Sequence, residues 1–185
     1  MHGEKGHVHG HVEYRFCPRC GGHLKKQKVK AIEPERLVCQ QCSFIFYLDP
    51  KVVAGAIFTI EERIVLLRRG VEPEMGKWVF PGGYVDRGES VREAATRETQ
   101  EESNVQVRLC SLLDVYSYSR SPNVIVVYAA EAIGGELSAG DESVEAQTFS
   151  ASEIPWKDLG FQSTQDALKD YIRLYLRQGK IEDRG

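Results

Sequence analysis

No stretch of this chain approaches the ~20 consecutive apolar residues that cross a bilayer as a helix. The longest apolar run, Val52 to Ile60, is under half that length, so no membrane partner is expected. The first residues carry no apolar core of a secretory signal, and the expectation is a cytoplasmic protein. A strong charge of one sign is also lacking. A net charge of −3 over 185 residues gives no general attraction to polyanions. No internal repeat is visible, which sets aside solenoid and propeller architectures. Apolar residues make up 42% of the chain, enough for a packed core.

Cysteine is scarce but patterned. Four of the five cysteines form the pairs Cys17-Pro18-Arg19-Cys20 and Cys39-Gln40-Gln41-Cys42. In a chain with no visible secretory signal, that pattern argues for metal rather than disulfides. Two such knuckles supply four thiolates to one tetrahedral zinc, and Gly21-Gly22 suits the positive φ that a knuckle often needs. Four thiolates close the coordination sphere, so this metal is assigned to structure rather than catalysis. The alternative is four unrelated thiols. Cys110 lies among leucines and reads as a buried, inert thiol.

Three segments follow from these features. Residues 1–14, rich in Gly and His, read as a disordered tail. Residues 15–48 form the four-cysteine unit. Their lysines and arginines between 15 and 30 have no acid among them, so they present either a solvated face or a patch for nucleic acid. Residues 49–185 form the larger domain. Strands are expected at 52–58, 64–67, 105–109, 112–118, 124–130 and 146–149, with a turn at Glu61-Glu62-Arg63 and a loop at Gly82-Gly83. Helices are expected at 90–103 and at about 164–178, the latter capped by Ser163 and stopped by Gly179. Strands and helices in this order imply an α/β (α+β) fold with a mixed sheet and helices on its faces.

Residues 90–103 are the candidate for the chemistry. Ser90 and Glu93 form a capping-box pattern, which starts the helix. With Val91 set at zero on a helical wheel, Ala95 falls near roughly +40°, Glu98 near −20° and Glu102 near +20°, with Glu101 near −80° at the edge. Two carboxylates thus continue the stripe that Val91 and Ala95 should bury. A lone buried charge is very costly, so such acids must be paired or hold a cation. Three acids exceed what Arg97 alone neutralises, and a hard cation bound through oxygen resolves the excess. The alternative is a charged helix lying on the surface.

The spacing of Gly83, Glu89, Arg97-Glu98 and Glu101-Glu102, with Val105 beyond, resembles the Nudix box, GX5EX7REUXEEXGU. Thr99 and Asn104 depart from it, standing where an aliphatic residue and a glycine are usual. The resemblance implies a Nudix α/β/α sandwich behind a zinc ribbon. It implies catalytic Mg²⁺ or Mn²⁺ held by Glu98, Glu101, Glu102 and the carbonyl of Gly83, with Arg97 paired to Glu89. A further acid from outside the box, Glu142 or Glu145, would serve as general base or extra ligand. A ribbon followed by this box also occurs in NADH pyrophosphatases. Their Ser-Gln-Pro-Trp-Pro-Phe-Pro type motif is missing, since Tyr116 to Pro122 reads differently. The segments Phe16–Gly22, Tyr47–Val53, Gly76–Tyr84 and Ala139–Glu145 are more similar to the FAD and ADP-ribose pyrophosphatase branch.

That likeness implies cleavage of ADP-ribose or FAD, giving AMP plus ribose 5-phosphate or FMN, by a homodimer. Two alternatives remain open. One is an NADH or nucleotide-cap pyrophosphatase. The other is a nucleic-acid-binding regulator that uses the fold as a ligand sensor.

Overall fold

The computed structural model describes residues 14–119 and 121–176. The expected tail, apart from Tyr14, and the Gly179 stop lie outside the described residues. Chain contacts separate two units, Met1–Asp49 and Pro50–Gly185.

In the first unit, β1 (Leu24–Gln27), β2 (Arg36–Cys39) and β3 (Ile45–Phe46) form an antiparallel sheet in that order. Its only deeply buried side chains among the described residues are Cys17, Val38 and Cys39. Apolar burial on that scale does not hold a fold of this size.

The second unit contains two sheets. β4 (Lys51–Ile57), β8 (Gly82–Tyr84), β9 (Val105–Ser117) and β10 (Asn123–Gly135) form one in the order β8-β4-β10-β9. β10 runs parallel to β4 and the other pairings are antiparallel, so the expected mixed sheet is present. The other sheet is antiparallel, β11-β6-β5, from β5 (Thr59–Ile60), β6 (Arg63–Arg69) and β11 (Ser143–Phe149); β7 (Trp78–Val79) also pairs with β6. Helix α1 (Val91–Ser103) packs on Ala54 and Tyr128 through Ala94 and Ala95. Helix α2 (Gln162–Tyr171) closes the largest core with Ala167 and Leu168, against Ile57 and Val127 of one sheet and Ile64 and Leu66 of the other.

Four local expectations need correction. Residues 105–109 and 112–118 belong to one strand, β9. The register against β10 slips between Ala129 and Ala130, and Cys110 is the extra residue of that bulge. A bulge turns its residue out of the pleat, and Cys110 is exposed rather than buried. Gly82-Gly83 is a strand, β8, because the missing side chains let its backbone lie against Ala54 and Gly55 of β4. Helix α2 begins earlier, at Gln162 after Phe161, and Ser163 lies inside it without capping. A π-helical turn, Ile172–Leu176, continues it.

Candidate active site

The capping box forms as expected. Ser90 Oγ accepts from the Glu93 amide at 3.2 Å, and the Glu93 carboxylate accepts from the Ser90 amide at 2.8 Å. The helix ends at Asn104 in the left-handed region, φ 57°, where its side chain donates to the Glu136 carbonyl at 3.0 Å. Asparagine tolerates that conformation, so it replaces the usual glycine. Thr99 is fully buried, and its hydroxyl donates to the Ala95 carbonyl at 2.7 Å. Both departures from the box are therefore accommodated within the helix.

Arg97 organises the acids on one side. Nε and Nη2 donate to the two oxygens of Glu89 at 2.8 and 2.9 Å. Nη1 reaches Glu98 at 2.7 Å and Glu101 at 3.0 Å, and Nη2 also reaches the Tyr84 carbonyl at 3.1 Å. All five guanidinium donors have partners, which fixes the planar group in place. Its hydrogen bonds hold the Glu89 carboxyl below its ordinary value.

Glu102 is different. Its Oε2 accepts from the Gly82 amide at 2.8 Å, and among the described residues no Lys or Arg forms an ion pair with it. Burial pushes its carboxyl up to about 7, with Glu98 and Glu142 adding to the rise and Arg69 opposing it. Burial also raises Glu98. The Glu98 carboxylate lies against Gly83 so closely that a Cβ there would overlap it. Glu98 and Glu102 thus face the two glycines of β8, while Glu101 stays exposed.

Of the two acids outside the box, Glu142 lies close enough to Glu102 for its charge to be felt. Its loop is docked on the end of α1, with Gly140 N donating to the Glu102 carbonyl at 2.9 Å and Ser138 N to that of Ser103 at 3.1 Å. Glu145 instead pairs with Arg68 at 3.5 Å. The structure therefore brings Glu89, Arg97, Glu98, Glu101 and Glu102 together, sets Glu142 nearby and pairs Glu145 with Arg68. Trp78 and Phe80 are core residues, and Tyr84 is exposed. An open cavity of about 920 Å³ runs beside Glu89 and Arg97, past Arg87, Arg92 and Arg108.

In the first unit the four thiols converge. Cys20 lies 3.3 Å from Cys42 and 3.5 Å from Cys39, and Cys17 lies 3.8 Å from Cys42, Sγ to Sγ. A tetrahedron with Zn–S bonds of about 2.3 Å has edges of about 3.8 Å, so the donors fit zinc. The amides of Gln41 and Cys42 point at Cys39 Sγ at 3.4 and 3.5 Å, as suits a thiolate. Gly21 takes φ 75°, as the knuckle requires. His23 packs against Phe16 with its ring tilted, centroids 5.0 Å apart, and is not part of the ligand group.

Comparison with known proteins agrees with this geometry. Residues 49–171 match the NUDIX domain profile, and residues 15–48 match the profile of the Nudix N-terminal zinc ribbon. An ADP-ribose pyrophosphatase of Methanocaldococcus jannaschii is 38% identical over 131 residues, 69% of this chain and 76% of that protein. An NAD-capped RNA hydrolase of Photobacterium profundum is 28% identical over 76% of this chain; the chain spans only 51% of that relative. A crystal structure of a NUDIX hydrolase from Nitrosomonas europaea superposes with a TM-score of 0.83 at 33% identity, covering 89% of this chain and 93% of that one.

Proposed function

The chain belongs to the Nudix hydrolases and carries the family's N-terminal zinc ribbon; from that premise we propose that it hydrolyses the diphosphate of ADP-ribose or FAD, using Mg²⁺ or Mn²⁺. The observation that carries this reading is the pair Glu98 and Glu102. Both carboxyls are pushed up by burial, and they face the Gly82-Gly83 backbone with more negative charge than Arg97 offsets. Hard oxygen donors in excess suit a divalent cation. Such a cation, once bound, neutralises the diphosphate and lowers the pKa of an attacking water.

The chain's own residues do the rest. Arg97 holds Glu89, Glu98 and Glu101 in register, and Glu102 is aimed by the Gly82 amide. Glu142 takes the proton of the attacking water in this proposal, a role its closeness to Glu102 supports over Glu145. The water oxygen bonds to one phosphorus as the bridging P–O bond breaks, leaving AMP and a second phosphate ester. Four thiolates at tetrahedral spacing support a structural zinc in residues 15–48.

The M. jannaschii relative supports ADP-ribose. NAD-capped RNA is the second reading, supported by relatives that this chain spans by about half. The test is a comparison of kcat/KM for ADP-ribose, FAD, NADH and an NAD-capped oligonucleotide with Mg²⁺, following AMP or decapped RNA by chromatography. The proposal expects ADP-ribose or FAD to lead by at least about tenfold, roughly 1.4 kcal/mol in transition-state stabilisation. A lead for the capped oligonucleotide would replace it with the second reading, and cleavage of none would end both.

A further inference from the structure

The residues above deal with phosphates and metal; they leave the base of a nucleotide conjugate without a partner. One aromatic ring near them is unused by the core. Phe161 is 39% exposed, although the segments on both sides of it are tightly held. Leu159, two residues earlier, is buried and bridges to Trp78. Gly160 N donates to the Trp78 carbonyl at 2.9 Å, and a Cβ on Gly160 would press on Lys77, Val79 and Glu74 at 3.2–3.3 Å. After Phe161, helix α2 begins at once, with Ser163 and Thr164 buried.

The backbone of Phe161 sits at φ 52°, ψ 140°, a region that bulky side chains rarely enter. A position whose only requirement was to turn the chain would favour glycine. Here the fold keeps an aromatic ring in a costly conformation and does not bury it.

The ring is also tied to the acidic site. The Arg69 guanidinium lies over it, 5.4 Å from the centroid, and is anchored by Nε donating to the Pro73 carbonyl at 2.8 Å. Arg69 pairs in register with Ser143, and the next amide, Gly70 N, donates to the Glu142 carbonyl at 2.8 Å, in the loop whose Gly140 N donates to the Glu102 carbonyl at 2.9 Å. An anchored cation thus lies on an exposed aromatic ring, at the end of the strand that adjoins the Glu142 segment. The other exposed ring beside the site, Tyr84, also carries a cation, Lys51 Nζ at 4.6 Å from its centroid, but its backbone lies in regular strand pairing with Val53 and is not strained.

We propose that the nucleobase of the substrate stacks on the free face of Phe161, with Arg69 behind the ring and turned toward the diphosphate. This rests on the nucleotide-conjugate reading of the preceding subsection. Phe161 is then the residue that selects nucleotides over other phosphate esters.

The test is calorimetric titration with AMP, and with ribose 5-phosphate as the probe that lacks a base, run on wild type, Phe161→Leu, Phe161→Tyr and Phe161→Gly. The expected result is AMP binding weakened about 10- to 100-fold in Phe161→Leu, the range of one aromatic–base stack, and restored in Phe161→Tyr. Ribose 5-phosphate binding should stay within about twofold throughout, as a contact made only by the base requires. Phe161→Gly, which relaxes the backbone, should lose AMP as the Leu variant does while its Tm does not fall. With ADP-ribose and Mg²⁺, KM should rise in Phe161→Leu and kcat should hold, since stacking serves ground and transition states alike. AMP affinity unchanged in Phe161→Leu, a parallel loss of both ligands, or no AMP binding by wild type would overturn the proposal. Selective loss of AMP binding in a protein that cleaves no conjugate would leave the platform standing and refute the hydrolase reading instead.

Discussion

Burial pushes the Glu102 carboxyl up to about 7, against the pull of the Gly82 amide and with Glu98 and Glu142 adding to the rise. The folded value lies above the unfolded one, so folding favours the neutral form. That contribution is complete below about 4.5 and is lost as pH rises through about 7. In buffer free of divalent metal, the wild type should therefore lose stability between about pH 5 and 8, by at most ~3 kcal/mol. Glu102→Gln, which cannot ionise, should show a flatter profile. Thermal melts of both proteins at the two ends of that range check this, and parallel slopes would refute it. Much at this scale was legible in sequence. The excess of acid over Arg97 and the tolerance of Asn104 for a left-handed turn both follow from residue type and spacing. The separation of Glu142 from Glu145 did not, because it depends on a register shift between Ser143 and Glu145 in the pairing of β11 with β6.

At the scale of elements, periodicity served α1 and failed where packing overrode it. The cap at Ser90 and the inward acids were readable because helix spacing is local. Paired glycines usually mark a turn, whereas those of β8 let two strands and a carboxylate approach closely. The start of α2 is set by Leu159 and Gly160 on β7, a tertiary contact with no local signal. The turn at Glu61 and Glu62 was found, but both residues take positive φ, 50° and 62°, which their side chains do not announce.

β1 to β3 bury too little to fold without help, so their stability should come from the metal. Protein purified without chelator is expected to hold one zinc per chain by elemental analysis, and Cys39→Ser far less. A wild-type protein free of zinc, with the cysteines reduced and the sheet intact, would contradict that assignment.

At the scale of the molecule, the larger unit has its own apolar core, built from two sheets and α2, and the acids lie outside that core on α1. The architecture and the acidic helix were therefore legible from different signals: apolar runs for the sheets, charged spacing for the candidate site. Among the described residues no helix is long and apolar enough to cross a membrane. The contact of Arg69 with Phe161 was not legible, because the two come from separate segments that only the fold brings together.

The central claim is that the acids of α1 hold a divalent cation for diphosphate hydrolysis. The most direct measurement is AMP release from ADP-ribose by wild type and Glu102→Gln, side by side, with and without Mg²⁺. Wild type should turn over only with the metal, and the variant should lose at least about 100-fold with its circular dichroism unchanged, because a lost metal site removes several kcal/mol of transition-state stabilisation. Equal turnover by the folded variant, or turnover by wild type in the absence of any divalent metal, would contradict it.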